Sequence, residues 1–172
     1  MLPSEYDRRK YCRRQDPMAA LMKTMLIVFH THGVKTARMA EAVERGARGE
    51  GGVNVIVKRC ADAGPQDLLA ADGLILGTPE NFGYMSGMMK DFLERVFYAC
   101  EGKVNGRPWA LFVGAGQDGS GAVGSVERIV AGLRLEKKSE PIIGMKELTP
   151  EILEKCEQLG MAFAAGLALG VF

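Results

Sequence analysis

From Met25 onward the chain alternates short apolar runs with segments whose apolar residues recur at helical spacing. That is the pattern of a parallel sheet covered by helices on both faces. Five runs read as strands: MLIVFH (25–30), VNVIVK (53–58), GLILG (73–77), WALFVG (109–114) and PIIG (141–144). The first, third and fourth are continuously apolar, as strands buried on both faces must be. VNVIVK alternates polar with apolar, and PIIG opens on a proline that has no N–H for a ladder, so these two belong at edges. The order 2-1-3-4-5 satisfies this division and predicts an α/β three-layer sandwich on a five-stranded parallel sheet.

Between the strands, Met39, Val43 and Ala47 mark one helix, and Met89, Phe92, Leu93, Val96, Phe97 and Cys100 mark a strongly amphipathic one. Val123, Val126, Ile129, Val130 and Leu133 mark the next. The last helix opens with Thr149 as N-cap and Pro150 at the first helical position. A weaker segment at 67–71, behind Gly64 and Pro65, supplies the remaining crossover. No internal repeat and no second domain are visible.

Residues 1–22 differ from the rest: Arg8, Arg9, Lys10, Arg13 and Arg14 crowd together and apolar periodicity is lacking until Met18. No apolar stretch follows those charges directly, so the segment does not read as a signal peptide. It reads as a flexible basic leader, an upstream-start artefact or a small accessory arm ahead of a single domain over 23–172. With 172 residues, 47% of them apolar, the chain is long enough for one sizeable core. Lys plus Arg number 22 against 21 for Asp plus Glu, a balance that gives no reason to expect nucleic acid or an acidic membrane surface. The longest apolar run, over 160–172, is about 13 residues and falls short of the ~20 that a membrane span needs. Cys12, Cys60, Cys100 and Cys156 never form C-x-x-C, so neither zinc nor an iron–sulfur cluster is suggested, and free thiols fit a cytoplasmic protein.

In a sheet of this order, ligands bind beyond the carboxyl ends of the strands where the winding reverses. Three loops meet there: HTHGVKT (30–36), TPENFGYMSG (78–87) and AGQDGSG (115–121). The first runs into a helix N-terminus, which favours an anion, with Thr31 and Thr36 offering hydroxyls and Gly33 letting the backbone curl. The alternative is an ordinary strand-to-helix turn with Thr36 as N-cap. GVKT lacks the upstream glycine of a P-loop, which excludes a nucleoside triphosphatase. His30 and Thr78 stand where a phospho-receiver domain needs acidic residues.

The segments LIVFHTHGVKTARMAEAVERGA and ADGLILGTPENFGYMSGMMKDFLERV resemble flavodoxin-like FMN proteins. The second closely resembles the NAD(P)H:quinone oxidoreductases first described as tryptophan-repressor-binding proteins, in which G-T-P-x-x-F-G-x-M-S-G precedes the third helix. The resemblance runs from Met25 to Phe172. It implies a flavodoxin-like fold, FMN as cofactor and NAD(P)H as co-substrate. It implies a quinone or similar small molecule as electron acceptor, and a homodimer or homotetramer. Carried over by position, it assigns His30, Thr31, His32, Gly33 and Thr36, with Val34 and Lys35 between them, to the FMN phosphate. Thr78, Pro79, Glu80, Asn81, Phe82 and Gly83 go to the isoalloxazine, and Ala115, Gly116 and Gly119 to its other edge. A flavodoxin-like electron carrier reduced by a partner protein is the alternative function.

Glycines and a proline in GTPENFGYMSG let backbone approach a flat ring, while Phe82 and Tyr84 are placed to shield it; Tyr84 equally suits a subunit contact. Ser86 reads as the N-cap of the third helix, since no G-x-S-x-G elbow surrounds it. His30 and His32 replace the usual hydroxyls, and in protonated form they would tighten phosphate binding as pH falls. Glu80 either sits near the ring, disfavouring a negatively charged reduced flavin, or faces solvent. The third loop has no His or Tyr to contact nicotinamide or quinone. Cys100 lies on an apolar stripe and reads as core; no side chain is named as an acid–base catalyst.

Overall fold

The apolar runs become strands whose alternate side chains feed two separate cores. The structure, a computed structural model, describes residues 22–172; the basic leader lies outside the described residues except for Met22. Strand β1 (Lys23–Phe29) is followed by α1 (Val34–Glu50), β2 (Val53–Arg59), α2 (Pro65–Ala70), β3 (Gly73–Asn81), β4 (Tyr84–Met85) and α3 (Gly87–Cys100). Then come β5 (Pro108–Ala115), α4 (Ser120–Gly132), β6 (Glu136–Lys137), β7 (Ile142–Met145) and α5 (Pro150–Leu169).

Because side chains alternate across a strand, Met25, Ile27, Ile75, Ala110 and Phe112 face one way and pack with Met39, Val43 and Ala47 of α1 and Cys156, Phe163 and Leu167 of α5. Leu26, Val28, Leu74, Leu76, Leu111 and Val113 face the other way, onto Leu68 of α2, Phe92, Leu93 and Val96 of α3 and Val126 and Val130 of α4. This is the expected three-layer sandwich, with central strands apolar throughout because both faces are buried. Helices α1 and α5 approach so closely that a Cβ on Gly46 would stand 1.9 Å from the Glu157 carbonyl oxygen, and one on Gly160 would stand 2.0 Å from that of Val43.

The sheet runs β2-β1-β3-β5, with β6 and β7 both parallel to β5 at the far edge. The expected order 2-1-3-4-5 therefore stands, but the sheet has seven strands and not five. The fifth predicted strand, 141–144, is β7, which pairs Phe112 to Ala115, and a further short strand not predicted, β6, pairs Pro108 and Trp109 ahead of it. Between them lies Pro141, which cannot donate to the ladder. The second difference lies in the segment expected to be wholly loop. β3 continues past the sheet through Asn81, and Tyr84–Met85 turns back on it antiparallel, pairing Glu80 with Met85 and Asn81 with Tyr84. None of the described helices is long and apolar enough to cross a membrane.

Candidate cofactor site

The chain leaves β1 at Phe29 and turns over residues 30–33 into α1, so Val34, Lys35 and Thr36 form the first helical turn. Gly33, not Thr36, holds the N-cap position, and it contributes no capping side chain; the first turn carries no acidic residue. In α3, α5 and α4 a first-turn amide receives a side-chain acceptor: Ser86 accepts from Met89 N at 3.2 Å, Thr149 from Ile152 N at 3.4 Å, and Glu80 from two amides of α4, whereas in α1 only the amide of the N-cap Gly33 itself is met, by Thr31. Helix α1 thus presents an uncapped positive end, which suits an anion.

Three cationic or imidazole groups stand beside it. His30 Nε2 lies 3.4 Å from His32 Nε2, with the rings edge to face at 4.5 Å. Arg59, the last residue of β2, donates from Nη2 to the Thr31 carbonyl at 3.2 Å and lies over the Phe29 ring at 4.8 Å. Burial first, then the positive fields of His32 and Arg59, hold His30 below the ordinary histidine value. Thr31 closes its own turn, its Oγ1 donating to the Gly33 carbonyl at 2.5 Å and accepting from Gly33 N at 3.2 Å. Two residues of the loop point inward: Lys35 Nζ donates to the Ala115 carbonyl at 2.7 Å, and Thr36 is buried against Gly114.

The second loop is a two-residue hairpin. Phe82 and Gly83 both have positive φ, 54° and 70°, between the paired Asn81 and Tyr84, the arrangement of a type I′ turn. Glycine adopts that conformation freely and phenylalanine does not, so the turn holds Phe82 under strain with its ring fully in solvent. At the base of the hairpin, buried Thr78 accepts from Ser86 N at 3.0 Å, and its Oγ1 is 3.2 Å from that of Ser86. Ser86 is the N-cap of α3, as the sequence indicated.

Glu80 lines the cleft with its carboxylate turned onto the start of α4. Its Oε1 accepts from Gly121 N at 3.1 Å and Ala122 N at 3.2 Å, so its charge lies against the positive end of α4. Met85 N donates to Ser125 Oγ at 3.0 Å, and a Cβ on Gly121 would lie 1.9 Å from the Gly83 carbonyl oxygen. The hairpin is therefore clamped to α4 by a carboxylate, a hydroxyl and a backbone contact. Across from the hairpin, Gly116 and Gln117 of the third loop complete a cleft of 310 Å³ with Glu80, Phe82 and Gly83. A Cβ at Gly83 or at Gly116 would meet nothing within 4 Å, so backbone borders open space on both walls. The rest of the third loop is structural. Ala115 is buried with its carbonyl taking Lys35 Nζ and Lys146 N, Gly119 is the buried N-cap of α4 at φ 75°, and Asp118 accepts from Ser120 N at 3.1 Å.

The topology brings His30, Thr31, His32, Gly33 and Val34 to the carboxyl end of β1, and Glu80, Phe82, Gly83 and Gly116 to the cleft beyond the neighbouring β3, which also carries Pro79 and Asn81. It turns Lys35, Thr36, Thr78, Ala115 and Gly119 to holding the loops. Arg59 and Gln117 belong to the site and were not singled out from sequence. Gln117 lies inside a loop already marked, whereas Arg59 is merely the polar end of an edge strand until β2 is laid beside β1. The described thiols take no part: burial pushes Cys60 and Cys156 up to about 12 and raises Cys100, leaving all three protonated and inert.

Residues 61–136 match the model of the NADPH-dependent FMN reductase family. A flavodoxin of Aquifex aeolicus is 36% identical over 100 residues, 58% of this chain and 54% of that protein. An NAD(P)H dehydrogenase (quinone) of Acidithiobacillus ferrooxidans is 33% identical over 113 residues, 54% of this chain and 56% of that protein. A solved Streptococcus pneumoniae flavodoxin superposes with a TM-score of 0.69 at 26% identity, covering 83% of this chain and 98% of that one. The chain has the flavodoxin-like fold, and part of its sequence is similar to FMN reductases, a flavodoxin and a quinone dehydrogenase. This flavodoxin-like chain spans about half the length of the curated relatives it matches. The matched stretch includes the hairpin, α3, β5 and the third loop, which are the parts that build the cleft.

Proposed function

We propose that this protein binds FMN along the crevice and passes electrons from NAD(P)H through the flavin to a quinone or similar small acceptor, working in the cytoplasm as a homodimer or homotetramer. The observation that carries this reading is the meeting of two complementary features beyond the carboxyl ends of the paired strands β1 and β3: an uncapped helix N-terminus flanked by His30, His32 and Arg59, and a cleft walled by the backbone of Gly83 and Gly116. The first fits a phosphate and the second a flat ring. Similarity to an NAD(P)H dehydrogenase (quinone) and to the NADPH-dependent FMN reductase family supports the choice of donor and acceptor.

Bound FMN supplies the redox chemistry, accepting two electrons and releasing them to the acceptor. The chain's own part is positional. Amides of the α1 first turn, Thr31, the two histidines and Arg59 hold the phosphate. The hairpin presents main-chain groups to the ring with no side chain at Gly83 in the way, and Phe82 stands free to cover it. The clamp onto α4 fixes the width of the cleft, so little reorganisation accompanies each turnover.

Anaerobic mixing of FMN-loaded protein with NADH, then NADPH, tests the proposal through flavin absorbance. Bleaching by either nucleotide, followed by reoxidation on adding benzoquinone, is the expected result. Protein that takes up no FMN would refute it. One feature favours a second reading: the third loop offers Gly116 and Gln117 to the cleft and no aromatic or imidazole group. Flavin that only a chemical reductant bleaches would identify an electron carrier reduced by a partner protein.

A further inference from the structure

The chain contains 2 histidines, and the fold brings both to one point. Two positions apart in the first loop, His30 and His32 place their Nε2 atoms 3.4 Å from each other. The ring centroids stand farther apart, at 4.5 Å, with the planes at 85°, so the rings converge on these nitrogens. The separation is long for a hydrogen bond, in which donor and acceptor lie about 2.9–3.0 Å apart. It matches the bite of a metal chelate: two imidazole nitrogens held about 2.0–2.1 Å from a tetrahedral zinc ion stand about 3.3–3.4 Å apart.

Among the described residues no third His, Cys, Asp or Glu joins the pair. A metal held here keeps coordination positions free of protein ligands, as in a site that binds an outside group and unlike a closed structural site. The surroundings say which group. Arg59 donates to the carbonyl of Thr31, which lies between the histidines in the chain, and α1 begins with an uncapped end and no acidic residue in its first turn. These positive groups repel a bare cation, so the compensating charge comes from an anion in the open positions. Imidazole ligands favour zinc, copper and nickel over magnesium and calcium.

We propose that His30 and His32 chelate a divalent metal ion of the zinc class through their Nε2 atoms, and that phosphate oxygen completes its coordination. The second half rests on the placement of the phosphate at this loop in the proposed function. A metal changes how the loop holds its anion. Neutral imidazoles on a dication present a lasting positive charge, whereas imidazoles alone are charged only when protonated.

Nitrogen-15 NMR of the untagged, FMN-free full chain, titrated with zinc chloride, reads the chelate directly, since His30 and His32 give the only imidazole signals. Both Nε2 resonances should shift together and saturate at one zinc per chain. Zinc that moves neither ring, or one ring alone, overturns the inference. Fluorescence titrations of FMN and of riboflavin, which lacks the phosphate, then read the open positions. Zinc should tighten FMN binding about tenfold or more through the added charge and leave riboflavin unchanged. The gain should vanish in His30→Ala and in His32→Ala. FMN affinity that ignores zinc, or a gain that survives both substitutions, also overturns the inference and leaves the flavin reading intact. Inorganic phosphate in place of FMN separates the two proposals. If phosphate tightens zinc binding to a chain that takes up no FMN, the metal site stands and the flavin function falls.

Discussion

Removing the Glu80 carboxylate should loosen the hairpin from α4 and destabilise the fold by an amount the geometry sets. Glu80 Oε1 accepts two amide hydrogen bonds at 3.1 and 3.2 Å at the start of a 13-residue helix. A hydrogen bond to a charged group contributes about 1.5–3 kcal/mol in good geometry. These two share one oxygen, are near the long end of the range and are only half buried, so their sum is closer to the loss of one N-cap. We expect Glu80→Ala to cost about 2 kcal/mol, the upper part of the range for removing a cap. In a domain of this size that corresponds to a fall in Tm of about 4–8 °C. Glu80→Gln keeps an acceptor oxygen and loses the charge–dipole attraction, and should cost about 0.5–1 kcal/mol. Equilibrium urea unfolding of the three proteins without FMN measures both values. If Glu80→Ala lies within about 0.5 kcal/mol of wild type, or Glu80→Gln matches it, the clamp does not act as described. Redox titration of FMN-loaded Glu80→Gln adds an independent check. A charge already held against α4 should influence the flavin little, so a large rise in potential would show that Glu80 faces the ring.

Gly121→Ala forces a Cβ to within 1.9 Å of the Gly83 carbonyl oxygen and should weaken FMN binding at least about tenfold through displacement of the hairpin. Gly124→Ala on the same helix meets open space and should instead stabilise the protein by up to about 1 kcal/mol; fluorescence titration and urea melts read the pair. Phe82→Asn relieves the positive-φ strain and should stabilise the FMN-free protein by about 1 kcal/mol while weakening FMN, and a variant that loses both stability and affinity would contradict the turn assignment. For pH, His30 is held low in the folded chain, so the folded state binds fewer protons than the unfolded one and stability should fall as pH drops through the ordinary histidine range. FMN phosphate reverses the sign by favouring the protonated ring, so FMN affinity should rise as pH falls; affinity unchanged between about pH 5.5 and 8.5 would refute this.

The order of the sheet, the helix faces and the location of the crevice were legible in the sequence because each depends on local periodicity. Continuous apolar runs at 25–30, 73–77 and 109–114 can lie only inside a sheet covered on both faces, and the polar alternation at 53–58 can lie only at its edge. Ser86 and Thr149 announced their helices because an N-cap acts within three residues. The extra edge strand β6 was not legible, because Glu136 and Lys137 carry no strand pattern and pair with Pro108 and Trp109. The anchoring of Glu80 on α4 was not legible for the same kind of reason: its partners, Gly121 and Ala122, are about forty residues away and become neighbours only when β3 and β5 pair side by side. Arg59 joins the first loop of the candidate site only because β2 lies against β1. The sequence by itself determined which loops gather beyond the carboxyl ends of the strands to form the candidate site. Only the tertiary structure decided which side chains face it, because those turned inward, Lys35, Thr36, Thr78 and Ala115, are recruited by backbone groups from strands and loops distant in the chain or by the hairpin's own closure.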